Sequence, residues 1–133
     1  MITVKAQIGL AHYKTTITNG THSITSDDAI ALGGNNLGFS PMELLAASLA
    51  SCTSITLRMY CDRKAIEMNQ IEVKVELDKN ELNENIFTRN IYISNSITEE
   101  QKQRLIQIAN LCPVSKLLSN GNTIITSLDS LIS

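Results

Sequence analysis

The side chains in this chain best suited to chemistry are its three cysteines, Cys52, Cys61 and Cys112. A thiolate is a strong nucleophile, and how readily a cysteine forms one depends on its surroundings and exposure. Cys112 stands in Leu111-Cys112-Pro113-Val114-Ser115-Lys116, directly before a proline suited to the first position of a helix. Cys112 would then be a helix N-cap, beside unpaired N–H donors and the positive end of the dipole, where thiolate is favoured over thiol. Lys116, one turn on, adds positive charge. A buried filler between Leu111 and Val114 is an equally good reading, because free cysteine is among the most buried residue types. Cys52 has the opposite profile. It falls mid-helix among Ala46, Ala47, Ser48, Ala50, Ser51, Thr53 and Ser54, without help from a dipole, and burial there raises a thiol pKa. Local physics alone makes it structural. Cys61 lies about 180° further round the same helix at ~3.6 residues per turn and reads as a bystander.

Other candidates are weaker. His12 and His22 flank a hairpin turn, but no C-x-x-C or H-x-x-x-H spacing supports a metal site. Glu43 has the chemistry of a general base, yet a capping role already accounts for it. Arg89 shares a strand face with Phe87, Ile91 and Ile93, which suits either an inward anion partner or a stem snorkelling to an edge. The loop Gly33-Gly34-Asn35-Asn36-Leu37-Gly38 lacks the strand-then-helix GxGxxG pattern and a Walker lysine, so it is no phosphate cradle. Two histidines without a nucleophile elbow do not make a Ser-His-Asp set.

These residues must be positioned by a small scaffold. The chain has 133 residues, 43% of them apolar and 18% charged, with a net charge of −2. That suits one folded domain over 1–133, with no basic face for nucleic acid. Aromatics are 4%, so Ile, Leu, Val and Ala must build the core. No apolar run approaches the ~18 residues of a membrane span, and no membrane is expected. The opening Met1-Ile2-Thr3-Val4-Lys5 alternates like a strand rather than a signal peptide, so a cytoplasmic location with reduced thiols is expected. An odd cysteine count also argues against a secreted disulfide framework.

Ile2, Val4, Ala6 and Ile8 alternate with polar residues, a half-buried strand. Residues 12–18 and 21–26 form two more strands about Asn19-Gly20, a dipeptide that accepts positive φ. Ser40-Pro41-Met42-Glu43 opens a long helix through a capping box and a first-position proline, running to about Arg63. Leu45, Leu49, Cys52, Thr56 and Met59 make its expected buried stripe. Residues 70–78 and 86–94 alternate as a hairpin with one solvated face. Thr98-Glu99-Glu100-Gln101 is a second capping box, opening a helix to about Asn110. A short helix follows from Pro113, and Thr123–Thr126 reads as a last strand. The order β-β-β-α-β-β-α-α-β describes an α+β domain.

At Gly38-Phe39-Ser40-Pro41-Met42-Glu43-Leu44-Leu45 with Cys52, and again at Cys112-Pro113-Val114-Ser115-Lys116, the chain resembles the OsmC/Ohr superfamily of osmotically inducible and organic-hydroperoxide-resistance proteins. The resemblance covers nearly the whole chain. It implies an OsmC-like fold, with antiparallel sheets around the long helix of residues 41–63, in an intertwined homodimer with shared active sites. It also implies a thiol-dependent peroxidase acting on organic hydroperoxides in oxidative-stress defence, without a cofactor. Cys52 would attack the peroxide, Cys112 would resolve the product as a disulfide, and a lipoyl or thioredoxin-like dithiol would reset the pair. The pattern departs from the family at two points. The helix-opening proline is followed by Met42, with Glu43 one residue late, and no arginine occurs before Cys52. Lys14, His12 and His22 are the candidates to replace the family arginine. Two alternatives follow from these departures: a non-catalytic dimer that binds a small hydrophobic ligand, or a thiol redox sensor.

Overall fold

A computed structural model describes residues 1–129 of the chain. Three short strands come first: β1 (Lys5–Ile8), β2 (Thr15–Thr18) and β3 (Ser23–Ser26). They form an antiparallel sheet in the order β1-β2-β3, with Ala6 opposite Ile17 and Ile17 opposite Ile24. The turn between β2 and β3 is where Asn19-Gly20 was expected. Only Gly20 takes a positive φ, +97°. Asn19 acts through its side chain, whose Oδ1 accepts from the N–H groups of Thr21 (2.9 Å) and His22 (2.7 Å). Asparagine commonly shapes a turn in this way.

A loop with a single 3₁₀ turn, Ile30–Leu32, leads to α1 (Pro41–Arg63). The capping box is formed: the Ser40 N–H donates to Glu43 Oε1 (2.9 Å), and the Glu43 N–H donates to Ser40 Oγ (3.2 Å). By length and composition this 23-residue helix is long and apolar enough to cross a membrane. That corrects the expectation that no segment comes near the requirement. The core helix of a soluble protein passes the same test, so one such helix is weak ground for a membrane.

Strands β4 (Ile71–Lys79) and β5 (Asn85–Ile93) make a two-stranded sheet. Ile71, Val73, Val75 and Leu77 are half-buried and Glu72, Lys74, Glu76 and Asp78 exposed, as their alternation requires. Helix α2 (Glu99–Ala109) starts at Thr98 with its capping box intact, and α3 (Pro113–Leu118) starts at Cys112. The expected strand at Thr123–Thr126 is absent: these residues are irregular, with Ile124 and Ile125 88% and 92% exposed. Its residues favour extended backbone, but a strand needs a neighbouring edge to bond with.

The chain falls into two compact units. The first comprises Met1–Ser51 and Val73–Ile91; the second comprises Cys52–Glu72 and the chain from Tyr92. The buried side chains of the second unit are Thr53, Leu57, Tyr60 and Cys61 of α1, Met68, Leu105 and Ala109 of α2, and Cys112. The buried ridge of α1 is therefore Leu49-Thr53-Leu57-Cys61, with Tyr60 beside it. This differs from the expected stripe: Leu45 and Met59 are exposed, and Cys52 and Thr56 only half-buried. Rows four residues apart lie on one helix face. Thr53 and Thr56 are equally plausible members of such a row by composition, and only packing separates them.

Candidate functional site

Cys112 is an N-cap, as its place before Pro113 predicts. After α2 the chain turns through Leu111 N–H to Ile108 O (3.0 Å) and Cys112 N–H to Ala109 O (3.2 Å). Cys112 itself is extended (φ −62°, ψ 140°), and Pro113 takes the first helical position. The Ser115 N–H donates to Cys112 Sγ at 3.4 Å. The residue is also fully buried. The two sequence readings, cap and buried residue, are thus both true of the same side chain.

A second polar atom meets this sulfur. Thr53 Oγ1 lies 3.5 Å from Cys112 Sγ, within hydrogen-bond distance for sulfur, and Thr53 is fully buried too. Thr53 is the chain neighbour of Cys52. The fold thus brings Cys112 against the same turn of α1 that carries Cys52. Sequence reading passed over Thr53 as one more small residue. The only available signal was its position four residues after Leu49 and four before Leu57.

Cys52 is half-buried, and all three cysteines are free thiols. It sits between Ser51 and Thr53 on a turn whose side chains are small. Cys61 is different again. It is fully buried, and desolvation pushes its thiol up; the Arg58 charge works against this shift, and the Asp62 charge adds to it. Arg58 and Asp62 pair at 3.4 Å across one helical turn. A buried thiol with a raised pKa is inert, which agrees with its reading as a bystander.

Glu43 is engaged by the cap. The Ser40 N–H, and then the Ser40 hydroxyl, hold its carboxyl below the usual glutamate range. In the first unit Glu43 also lines an open groove of about 380 Å³ with Met42, Ala46, Val75, Leu77 and Lys79. His12 stacks on Tyr13 with ring centroids 5.0 Å apart. Arg89 lies on the half-buried face of β5 with Phe87, Ile91 and Ile93, as its register predicts. Among the described residues no three His, Cys, Asp or Glu side chains gather to hold a metal.

The most heavily bonded carboxylate is one that sequence reading did not single out. Asp27 is buried. Its Oδ1 accepts from the N–H groups of Tyr13 (2.9 Å) and Asp28 (2.7 Å), and its Oδ2 from those of Asn35 (3.3 Å) and Leu37 (3.2 Å). Desolvation alone would raise its pKa; the four backbone donors together outweigh that and hold it below the ordinary aspartate value. Asp27 thereby ties the loop that precedes α1. Gly38 completes the tie, since a Cβ there would collide with the backbone carbonyl of Thr25. The weak sequence signal was an aspartate at a strand end before a glycine-rich loop.

Residues 33–127, which include Cys52 and Cys112, match the family model described as OsmC-like protein. No curated protein matches the chain. Among solved structures, the chain is similar to a Psychrobacter arcticus protein described as an osmotic stress induced and detoxification response protein, with a TM-score of 0.75 and 21% identity over 88% of each chain. It is similar to an OsmC-like protein from Mycoplasma pneumoniae, with a TM-score of 0.70 and 20% identity over 90% of this chain and 87% of that one. It also resembles the organic hydroperoxide resistance protein OhrB of Bacillus subtilis, at a TM-score of 0.59 and 26% identity over 88% and 89%. The matched span and the likeness of fold give one conclusion: this chain is a member of the OsmC-like protein family, with the α+β fold of the OsmC/Ohr superfamily.

Proposed function

We propose that this protein is a thiol-dependent peroxidase that reduces organic hydroperoxides through Cys52 and Cys112. One observation carries the reading: the contact between Thr53 Oγ1 and Cys112 Sγ brings two thiol-bearing segments, far apart in the chain, to one turn of α1. The relative named for organic hydroperoxide resistance supports the choice of substrate. In the proposed reaction the Cys52 thiolate attacks the peroxide oxygen. The O–O bond breaks, an alcohol leaves after taking up a proton, and Cys52 becomes a sulfenic acid. Cys112 then displaces that hydroxyl as water and forms a disulfide. A dithiol of the lipoyl or thioredoxin type regenerates both thiols by exchange.

The proposed setting is the reducing cytoplasm, where a disulfide is transient. The proposed assembly is a homodimer. Met42, Leu45, Ile55 and Met59 of α1 are exposed in the single chain, an apolar surface that a second copy would cover. In that assembly a cationic side chain from either copy would take the place of the arginine that is missing ahead of Cys52. Reduced protein mixed with one equivalent of an organic hydroperoxide is expected to lose two thiols and yield a Cys52–Cys112 bond on peptide mapping. If both cysteines remain reduced after that treatment, the reading fails.

The groove beside Met42 and Glu43 favours a second reading, a non-catalytic binder of a small hydrophobic molecule. Its volume, about 380 Å³, falls within the range of small-molecule sites. Retention of such a ligand by wild type and Cys52→Ser alike, with no peroxide turnover in wild type, would favour the binder.

A further inference from the structure

We infer that Thr53 is a positioning residue for Cys112, holding the second sulfur as a thiolate so that it can resolve oxidised Cys52. The inference deepens the peroxidase reading and rests on it. Resolution needs a thiolate, and Cys112 is fully buried, where an unsolvated charge is costly unless donors surround it. Among the groups at Sγ are the Ser115 N–H at 3.4 Å and Thr53 Oγ1 at 3.5 Å. The backbone donor comes with the helix cap. The Thr53 hydroxyl comes from a different helix and is the one that a mutation can remove.

The hydroxyl suits both protonation states of the sulfur. While Cys112 is a thiol, its S–H can donate to Thr53 Oγ1. Once it has lost the proton, sulfur only accepts, and the rotatable Thr53 O–H becomes the donor. Because Thr53 adjoins Cys52 in the chain, the nucleophile and the group that holds its resolver move with the same turn of α1.

In the resolving step the Cys112 sulfur attacks Cys52 Sγ and an S–S bond forms. The S–O bond of the sulfenic acid breaks, and the departing hydroxide takes up the proton that Cys112 gave up, leaving as water. Cys112 is oxidised and Cys52 reduced by one level each. The organic hydroperoxide supplied the oxidising equivalents in the preceding step.

Thr53→Val removes the hydroxyl and keeps the branched shape; Thr53→Ser keeps the hydroxyl. Reduced protein is treated with one equivalent of tert-butyl hydroperoxide and dimedone. The ratio of the Cys52–dimedone adduct to the Cys52–Cys112 disulfide is expected to rise roughly tenfold in Thr53→Val, the scale of one lost hydrogen bond to a charged acceptor. It returns toward wild type in Thr53→Ser, a rescue that a purely steric role would not produce. A wild-type ratio in Thr53→Val overturns the inference. A second measurement does not depend on peroxide. In Cys52→Ser/Cys61→Ser protein, Cys112 is the one remaining thiol. The alkaline midpoint of its ultraviolet thiolate absorbance is expected to rise with Thr53→Val and return with Thr53→Ser; an unmoved midpoint overturns the inference as well. If wild type forms no disulfide, the peroxidase reading falls, and this titration still decides whether Thr53 holds the thiolate. Thr53→Ala serves as the hydroxyl-free variant should Thr53→Val fail to fold.

Discussion

Asp27 and Cys112 are two buried acceptors held in opposite ways. The Asp27 carboxylate takes four backbone N–H groups at 2.7–3.3 Å, all from its own loop and the segment before β2. It is tied into the fold at both oxygens. Cys112 Sγ has the Ser115 N–H at 3.4 Å and the Thr53 hydroxyl at 3.5 Å among its neighbours. Sulfur is larger and a weaker acceptor than oxygen, so its contacts are longer and hold it less firmly. A buried anion saturated by backbone is a structural pin. A buried sulfur beside a backbone N–H and a hydroxyl is held by longer and weaker contacts. Cys61 supplies the limit of burial without such help: desolvation dominates and the thiol is pushed up.

The largest expected effect tests the buried ridge of α1 that carries Thr53. Leu57 follows Thr53 on the buried ridge of α1 and is 1% exposed, whereas Met59 is 61% exposed. Leu57→Ala is expected to cost roughly 2–5 kcal/mol in urea unfolding, and Met59→Ala to stay within about 0.5 kcal/mol in the monomer. Equal losses would return the buried face to the stripe through Cys52 and Met59, and the contact at Cys112 would lose its scaffold.

Next in size is the Asp27 pin. Its folded-state pKa lies below the ordinary 3.8. Its stabilising contribution is therefore complete above that value and is lost as pH falls through the lowered folded one. Asp27→Asn is expected to lower the urea midpoint at neutral pH. The gap from wild type should close as the solution is acidified through that window. A gap independent of pH would mean that the carboxylate charge contributes nothing.

The smallest expected change in stability is at Cys112 itself. Serine is a strongly preferred N-cap, so Cys112→Ser is expected to alter stability by less than about 1 kcal/mol. Its effect on chemistry should be total: peroxide then consumes a single thiol, and Cys52 sulfenic acid accumulates. If Cys112→Ser instead unfolds the protein, the residue is a pin like Asp27 and the contrast between the two regions disappears.

What could be read in the sequence was what neighbours in the chain decide. The capping boxes at Ser40/Glu43 and Thr98/Gln101, the Cys112-Pro113 helix start and the alternation of β4 all formed. Each rests on contacts within a few residues, which side-chain type and spacing specify. The family was legible in the same sense, from local motifs of the chain.

Tertiary structure alone decided the partners that meet across long separations. Thr53 and Thr56 are the same residue type on one helix, and packing chose Thr53 to face Cys112. Asp27 gathers N–H groups from residues 13, 28, 35 and 37 because a folded loop places them there. Thr123–Thr126 has the composition of a strand, but no edge meets it in the single chain. Local propensity is a property of a segment and can be read directly. A long-range hydrogen bond or a sheet ladder also needs a second group at a fixed distance, and only the folded chain supplies that distance.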